Sequence, residues 1–161
     1  MVYVAVSGGG DADAETCGQA EELGRELARR GAVVVTGGLG GAMEAACRGA
    51  KAEGGTTIGI LPSDDRADAN AWVDVAVPTG LGEGRNALVV RAADVVVAVA
   101  GEFGTLSEIA LALRLGRPVV GLGTWELGRR GQPVSAVVVA SSPAEAAEKA
   151  MALARPATRP G

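Results

Sequence analysis

Seven short runs of β-branched and small apolar residues recur along the chain: Val2–Val6, Ala32–Thr36, Thr56–Leu61, Val73–Val77, Asp94–Val99, Pro118–Leu122 and Ala136–Ala140. Most read as nearly unbroken Val, Ile and Ala, without the apolar–polar alternation of a strand that has one wet face. Strands of this kind are buried on both faces, so they belong to a parallel sheet with helices above and below. That single pattern excludes sandwiches, open meanders and helical bundles.

The cover is legible between the strands. From Ala14 to Arg30, Cys17, Ala20, Leu23 and Leu27 recur at helical spacing, and Gly31 closes the segment. Gly41–Glu53 carries Met43, Ala46 and Ala50 on one stripe, and Thr105–Leu115 carries Leu106, Ile109, Ala110 and Leu113. The run Ser142-Pro143-Ala144-Glu145 opens the last helix with a serine N-cap, proline at N1 and glutamate at N3. Strand alternating with helix along the whole chain predicts an α/β Rossmann-like fold: three layers, doubly wound, with a mainly parallel sheet of about seven strands. No linker or repeat divides it, so residues 1–154 read as a single nucleotide-binding-type domain, followed by a frayed tail at 155–161.

Bulk properties narrow the function. The 161 residues carry a net charge of −4, only 2% aromatics and no histidine. Without a basic patch or stacking residues, a nucleic-acid surface is not expected. Without histidine, Ser-His-Asp and Cys-His catalysis and the usual zinc sites are absent. No apolar run is long enough for a membrane span and no basic leader precedes the first strand, which predicts a cytoplasmic protein without a membrane partner. Cys17 and Cys47 read as reduced core thiols. Acidic pairs such as Asp11/Asp13 and Asp64/Asp65 fall in solvated loops, and no metal site is assigned.

In an open parallel sheet, ligands sit at the carboxyl ends of the strands, where helix N-termini offer unpaired N–H groups. Four such ends are rich in glycine: "SGGGD" (Ser7–Asp11), "TGGLGG" (Thr36–Gly41), "TGLGEGRN" (Thr79–Asn86) and "AGEFGT" (Ala100–Thr105). One loop of this kind is a turn; four along one edge predict an anion site. Its candidate residues are Ser7, Gly8, Gly9, Gly37, Gly38, Gly40, Gly41, Arg85, Asn86, Gly101, Gly104 and Thr105. Arg85 is the basic residue of its loop and suits bidentate grip on a phosphate. None of the loops ends in Gly-Lys-Ser/Thr, and the second strand does not close on an acidic residue, so neither a P-loop nor a standard dinucleotide fingerprint is present.

Two carboxylates complicate this picture. Thr105-Leu106-Ser107-Glu108 has capping-box spacing, with Thr105 as N-cap and Glu108 at N3; Glu108 also suits the floor of a sugar-binding cleft. Glu102 stands where a phosphate cradle favours glycine. A carboxylate about 5 Å from a phosphate at an effective dielectric of about 20 opposes it by roughly 3 kcal/mol. A helix N-terminus favours the anion by only about 0.3–2 kcal/mol. Glu102 must therefore face solvent, accept a hydrogen bond from the ligand, or be neutralised by a cation.

With these residues in view, "TGGLGGAMEAACRGAKAEGGTTIGILP" followed by "GEGRNALVVRAADVVVAVAGEFGTLSEIALALRLGRPVVGLGT" resembles the Lonely-guy-like (lysine-decarboxylase-like) Rossmann superfamily. Within it the likeness runs to the branch containing the molybdenum-cofactor carrier protein. Active Lonely-guy enzymes hydrolyse the N-glycosidic bond of cytokinin nucleoside 5′-monophosphates, using Pro-Gly-Gly-x-Gly-Thr-x-x-Glu and an upstream Arg-Lys. Here Gly101, Gly104, Thr105, Glu108 and Arg85 match, while Ala100, Glu102 and Asn86 replace the proline, a glycine and the lysine. The resemblance thus implies a catalytic pair, Arg85 and Glu108, beside an altered phosphate loop. It also implies a homodimer or larger assembly. The expected ligand is a small phosphate-bearing molecule, a nucleoside monophosphate or molybdenum cofactor, bound either by a carrier or by a phosphoribohydrolase. Decarboxylation of lysine has no support, since Lys51 and Lys149, the only lysines, both fall on helix surfaces.

Overall fold

The computed structural model of the chain describes residues 1–154; the segment expected to fray, 155–161, lies outside them. The strands are β1 (Tyr3–Ser7), β2 (Val33–Thr36), β3 (Thr57–Leu61), β4 (Val75–Pro78), β5 (Val95–Val99) and β6 (Val119–Leu122), then a small hairpin, β7 (Gly128–Arg129) and β8 (Gln132–Pro133), and finally β9 (Val137–Ala140). The helices are α1 (Ala14–Arg29), α2 (Ala42–Ala52), α3 (Asn86–Ala92), α4 (Phe103–Arg114) and α5 (Pro143–Leu153). Seven strands pair in parallel in the order β4-β3-β2-β1-β5-β6-β9. Among the described residues, no helix is long and apolar enough to cross a membrane.

The period of two explains the layers. Val4 and Val6 of β1 and Val95, Val97 and Val99 of β5 face a core shared with α1, α2 and α5. Ala5, Val96 and Ala98 face the opposite core, where Val89, Val90, Ile109 and Ala112 of α3 and α4 close over them. Every residue of β5 is buried, and each such valine contributes about 1.5–3 kcal/mol by leaving water. Between α1 and α2 the backbones touch. A Cβ on Gly24 would stand 2.1 Å from the Ala46 carbonyl oxygen, and one on Gly49 would stand 1.9 Å from that of Glu21. The two cysteines form no disulfide; Cys47 is buried and Cys17 half-buried.

Two crossovers depart from strict strand–helix alternation. Between β3 and β4 the chain makes only one 3₁₀ turn, Arg66–Asp68, and between β6 and β9 it makes the β7–β8 hairpin. The long polar stretch after β3 is tied back to the second glycine loop: Asn70 donates from its backbone to Gly38 O at 2.9 Å and from Nδ2 to Leu39 O at 2.9 Å. Winding runs outward in one direction from β1 and in the other from β5. The carboxyl ends of these two neighbours, Ser7 and Val99, therefore flank the topological switch point, where such sheets leave an open crevice.

Candidate functional site

A cavity of about 260 Å³ occupies this crevice. From the β1 end it receives Ser7, Gly8 and Gly9, and from the β2 end Gly37. Arg85 and Asn86 enter from the start of α3, and Gly104, Thr105 and Glu108 from the first turns of α4. Segments far apart in sequence thus meet on one rim.

Arg85 dominates the chemistry. It is only 9% exposed, an unusual degree of burial for a guanidinium. Nη1 donates to the carbonyl oxygens at the strand ends, Gly37 and Ile60, the latter at 2.6 Å. Its Nε is buried with no hydrogen-bond partner among the described residues. Burial lowers the arginine pKa, and the charge of Glu108 opposes that shift. Two carbonyls therefore fix the guanidinium by one nitrogen, while the residue lines the cavity.

Glu108 corrects the capping-box reading. The helix begins earlier than the capping-box spacing suggested, at Phe103, with the N-cap at Glu102 in place of Thr105 and no side chain capping it. Ala100 and Gly101 turn through φ values of 46° and 94°, which brings the chain onto the helix ahead of Thr105. Glu108 then falls beyond the first turn, half-buried, and accepts a hydrogen bond from Ser7 Oγ across the crevice. Burial raises its pKa, against the opposing pull of the Ser7 hydroxyl and the Arg85 charge. Arg85 and Glu108 share the cavity without a direct ion pair among the described residues. The first helical amides, which include those of Gly104 and Thr105, lack intrahelical acceptors and lie on the same wall.

The other glycines named from the sequence take different places. Gly41 enters α2 with φ 63° and ψ −131°, where a Cβ would meet Gly9 O at 2.3 Å. Gly101 lies over Thr105, whose Oγ1 a Cβ would approach to 2.2 Å. Gly38 packs on Leu61 and Gly59, and Gly40 approaches Gly10 O. None of these four lines the cavity. Sequence reasoning passes over the wall residues Gly10, Asp11 and Met43 as ligands, and it leaves Glu102 open between solvent, ligand and cation. Glu102 is exposed and yet stands on the rim. The β1 loop continuing as Gly10-Asp11 was the available signal for two of them. Met43 reads from sequence as core alone.

Fold and cavity together define a Rossmann-like α/β protein with a polar crevice at its topological switch point. The chain belongs to the SLOG cluster4 family, whose sequence model matches residues 1–153. An uncharacterized protein of Archaeoglobus fulgidus is 39% identical over 122 residues, 76% of this chain and 80% of its own. The solved molybdenum cofactor binding protein of the phototrophic bacterium Rippkaea orientalis is 38% identical with a TM-score of 0.85, covering 94% of this chain and 96% of that one. The molybdenum cofactor carrier protein of Chlamydomonas reinhardtii is 36% identical with a TM-score of 0.83, covering 95% and 98%. The resemblance carried by the glycine loops, to the Lonely-guy-like superfamily and its carrier branch, extends over nearly the whole chain.

Proposed function

We propose that this protein binds a small phosphate-bearing ligand, a nucleoside monophosphate or molybdenum cofactor, at the β1–β5 crevice. One observation supports the reading: a nine-tenths-buried arginine that lines the cavity and whose buried Nε has no hydrogen-bond partner among the described residues. A buried guanidinium with an unmet donor is costly, and an anion in the cavity that accepts from its free edge lowers that cost. The amides of Gly104 and Thr105 supply further donors at the positive end of α4. Ser7, Gly8 and Gly9 shape the opposite wall, and Gly37 keeps space beside the guanidinium. The molybdenum cofactor, a phosphate-bearing pterin, fits this donor set as cargo, and the proteins of Rippkaea and Chlamydomonas named for it support that choice.

Calorimetric titration and thermal denaturation with nucleoside monophosphates and with molybdenum cofactor test the reading. Heat release and a raised melting temperature, both lost in Arg85→Gln, are expected. Neither signal with any of these ligands overturns it.

Phosphoribohydrolase activity is the second reading, favoured by Arg85 and Glu108 meeting in one cavity. Arg85 would then orient the phosphate and Glu108 stabilise an oxocarbenium-like sugar. Release of ribose 5-phosphate from AMP or a cytokinin monophosphate, abolished in folded Glu108→Gln, is its signature. Absence of turnover in the unaltered protein eliminates it.

A further inference from the structure

Glu102 is shared by the crevice and two neighbouring depressions. One, of about 410 Å³, is bounded by Asp11, Asp13 and Thr16. The other, of about 310 Å³ and open, is bounded by Thr124 and Trp125. The backbone at this junction is held in place, because Trp125 Nε1 donates to Glu102 O at 3.2 Å. The side chain is not: it leaves the N-terminus of α4 uncapped, and it forms no hydrogen bond or ion pair with any described residue. Asp13, by contrast, is committed to capping α1 through Thr16 N.

The chain contains two tryptophans, one tyrosine and one phenylalanine. Two of these four, Phe103 and Trp125, meet beside Glu102 with ring centroids 5.6 Å apart and planes inclined at 32°. Phe103 is 75% exposed. Burial in the core does not account for it. Trp125 and Arg85 thus line adjoining but separate hollows, and Glu102, with its free carboxylate, is the residue common to both.

Resting on the phosphate-binding reading above, we propose that Glu102 selects the ring of the ligand. The class selected is a fused heteroaromatic with a ring N–H beside an exocyclic amine, the 2-amino-4-oxo edge shared by guanine and pterin. An ionised carboxylate only accepts, with two oxygens side by side, so it matches two parallel N–H donors. Adenine offers one donor and one lone pair at the corresponding edge, and hypoxanthine a single N–H. Each leaves a carboxylate oxygen unmatched or repelled. Sites built to hydrogen-bond a ligand group discriminate strongly against analogues that lack it. Trp125 supplies the face against which the ring lies, and Arg85 holds the phosphate at the far end. The glutamate that a bare phosphate cradle would exclude is then the residue that reads the ring.

The test titrates the full chain and its Glu102→Ala and Glu102→Gln variants with GMP, neopterin monophosphate, IMP and AMP. GMP or neopterin monophosphate should bind the unaltered protein at least about tenfold tighter than IMP and AMP; the tighter of the two identifies the source of the edge. Glu102→Ala should abolish that preference, bringing the four affinities within about twofold of one another. Glu102→Gln should shift preference toward AMP, because an amide offers one acceptor and one donor. Circular dichroism of each variant confirms folding. Equal binding of all four ligands, or a preference that survives Glu102→Ala, overturns the assignment of Glu102 and leaves the phosphate site standing. If none of the four binds, the assignment of Glu102 falls, and the phosphate site stands or falls with the molybdenum cofactor titration above.

Discussion

Arg85 is held where a guanidinium is costly to keep. Its Nη1 satisfies Gly37 O and Ile60 O, while Nε has no partner among the described residues. Lysine retains the charge but cannot bridge two carbonyls and also present a planar edge. Arg85→Lys should therefore fold and yet lose about tenfold or more in phosphate-ligand affinity, read by calorimetry. Glu108 makes a prediction with a definite sign. Burial raises its folded pKa above the ordinary 4.5. The folded state thus holds more protons than the unfolded state in that window, so stability falls as pH rises from 4.5 through the raised value. Glu108→Gln removes this slope. Urea denaturation should find the variant more stable than the parent near neutral pH and the two converging below 4.5. Parallel curves for the two proteins would show that Glu108 is not the group responsible.

Elements set where these residues stand, and they divide the glycines into two kinds. Gly41 occupies a positive-φ conformation, and a Cβ there would strike Gly9 O at 2.3 Å. Gly41→Ala should cost about 3 kcal/mol in chemical denaturation, combining backbone strain with the collision. Gly104 has the opposite character: it lies in a helix, and a Cβ there meets nothing within 4 Å. Its lack of a side chain keeps the cavity wall open. Gly104→Ala should hold or slightly raise stability, by up to about 1 kcal/mol, while weakening the ligand. The same contrast explains what the sequence could and could not reveal. The seven strands were legible to within a residue or two from their unbroken apolar runs; burial on both faces accounts for the inner five, whereas the edge strands β4 and β9 leave Val75, Val77 and Val139 exposed. The start of α4 was not. Thr105–Glu108 has the local spacing of a capping box, and only the tertiary turn at Ala100–Gly101 decides that the helix begins at Phe103. The rim glycines were legible as a group, but which of them face the cavity depends on how four loops converge. The close crossing of α1 and α2 at Gly24 and Gly49 leaves no periodic signal.

For the molecule as a whole, the charge balance is unusual for the anion-binding role proposed above. The chain carries −4 overall, and the crevice sets one guanidinium among Asp11, Glu102 and Glu108. On the proposed reading long-range attraction cannot be what brings a phosphate in; attraction is confined to contact with Arg85 and the amides of α4. Salt separates these contributions. Repulsion between the acidic surface and an incoming anion acts over distances beyond the Debye length of about 10 Å at 0.1 M salt and is screened there. Contact inside the crevice is screened far less. Raising ionic strength from about 0.05 to 0.5 M should therefore speed association of a nucleoside monophosphate by about twofold and leave its dissociation nearly unchanged. Stopped-flow mixing measures both. A basic phosphate site loses affinity across the same range, so slower association with added salt would mean that a positive field outside the crevice governs capture, and that the buried arginine is not the principal attraction.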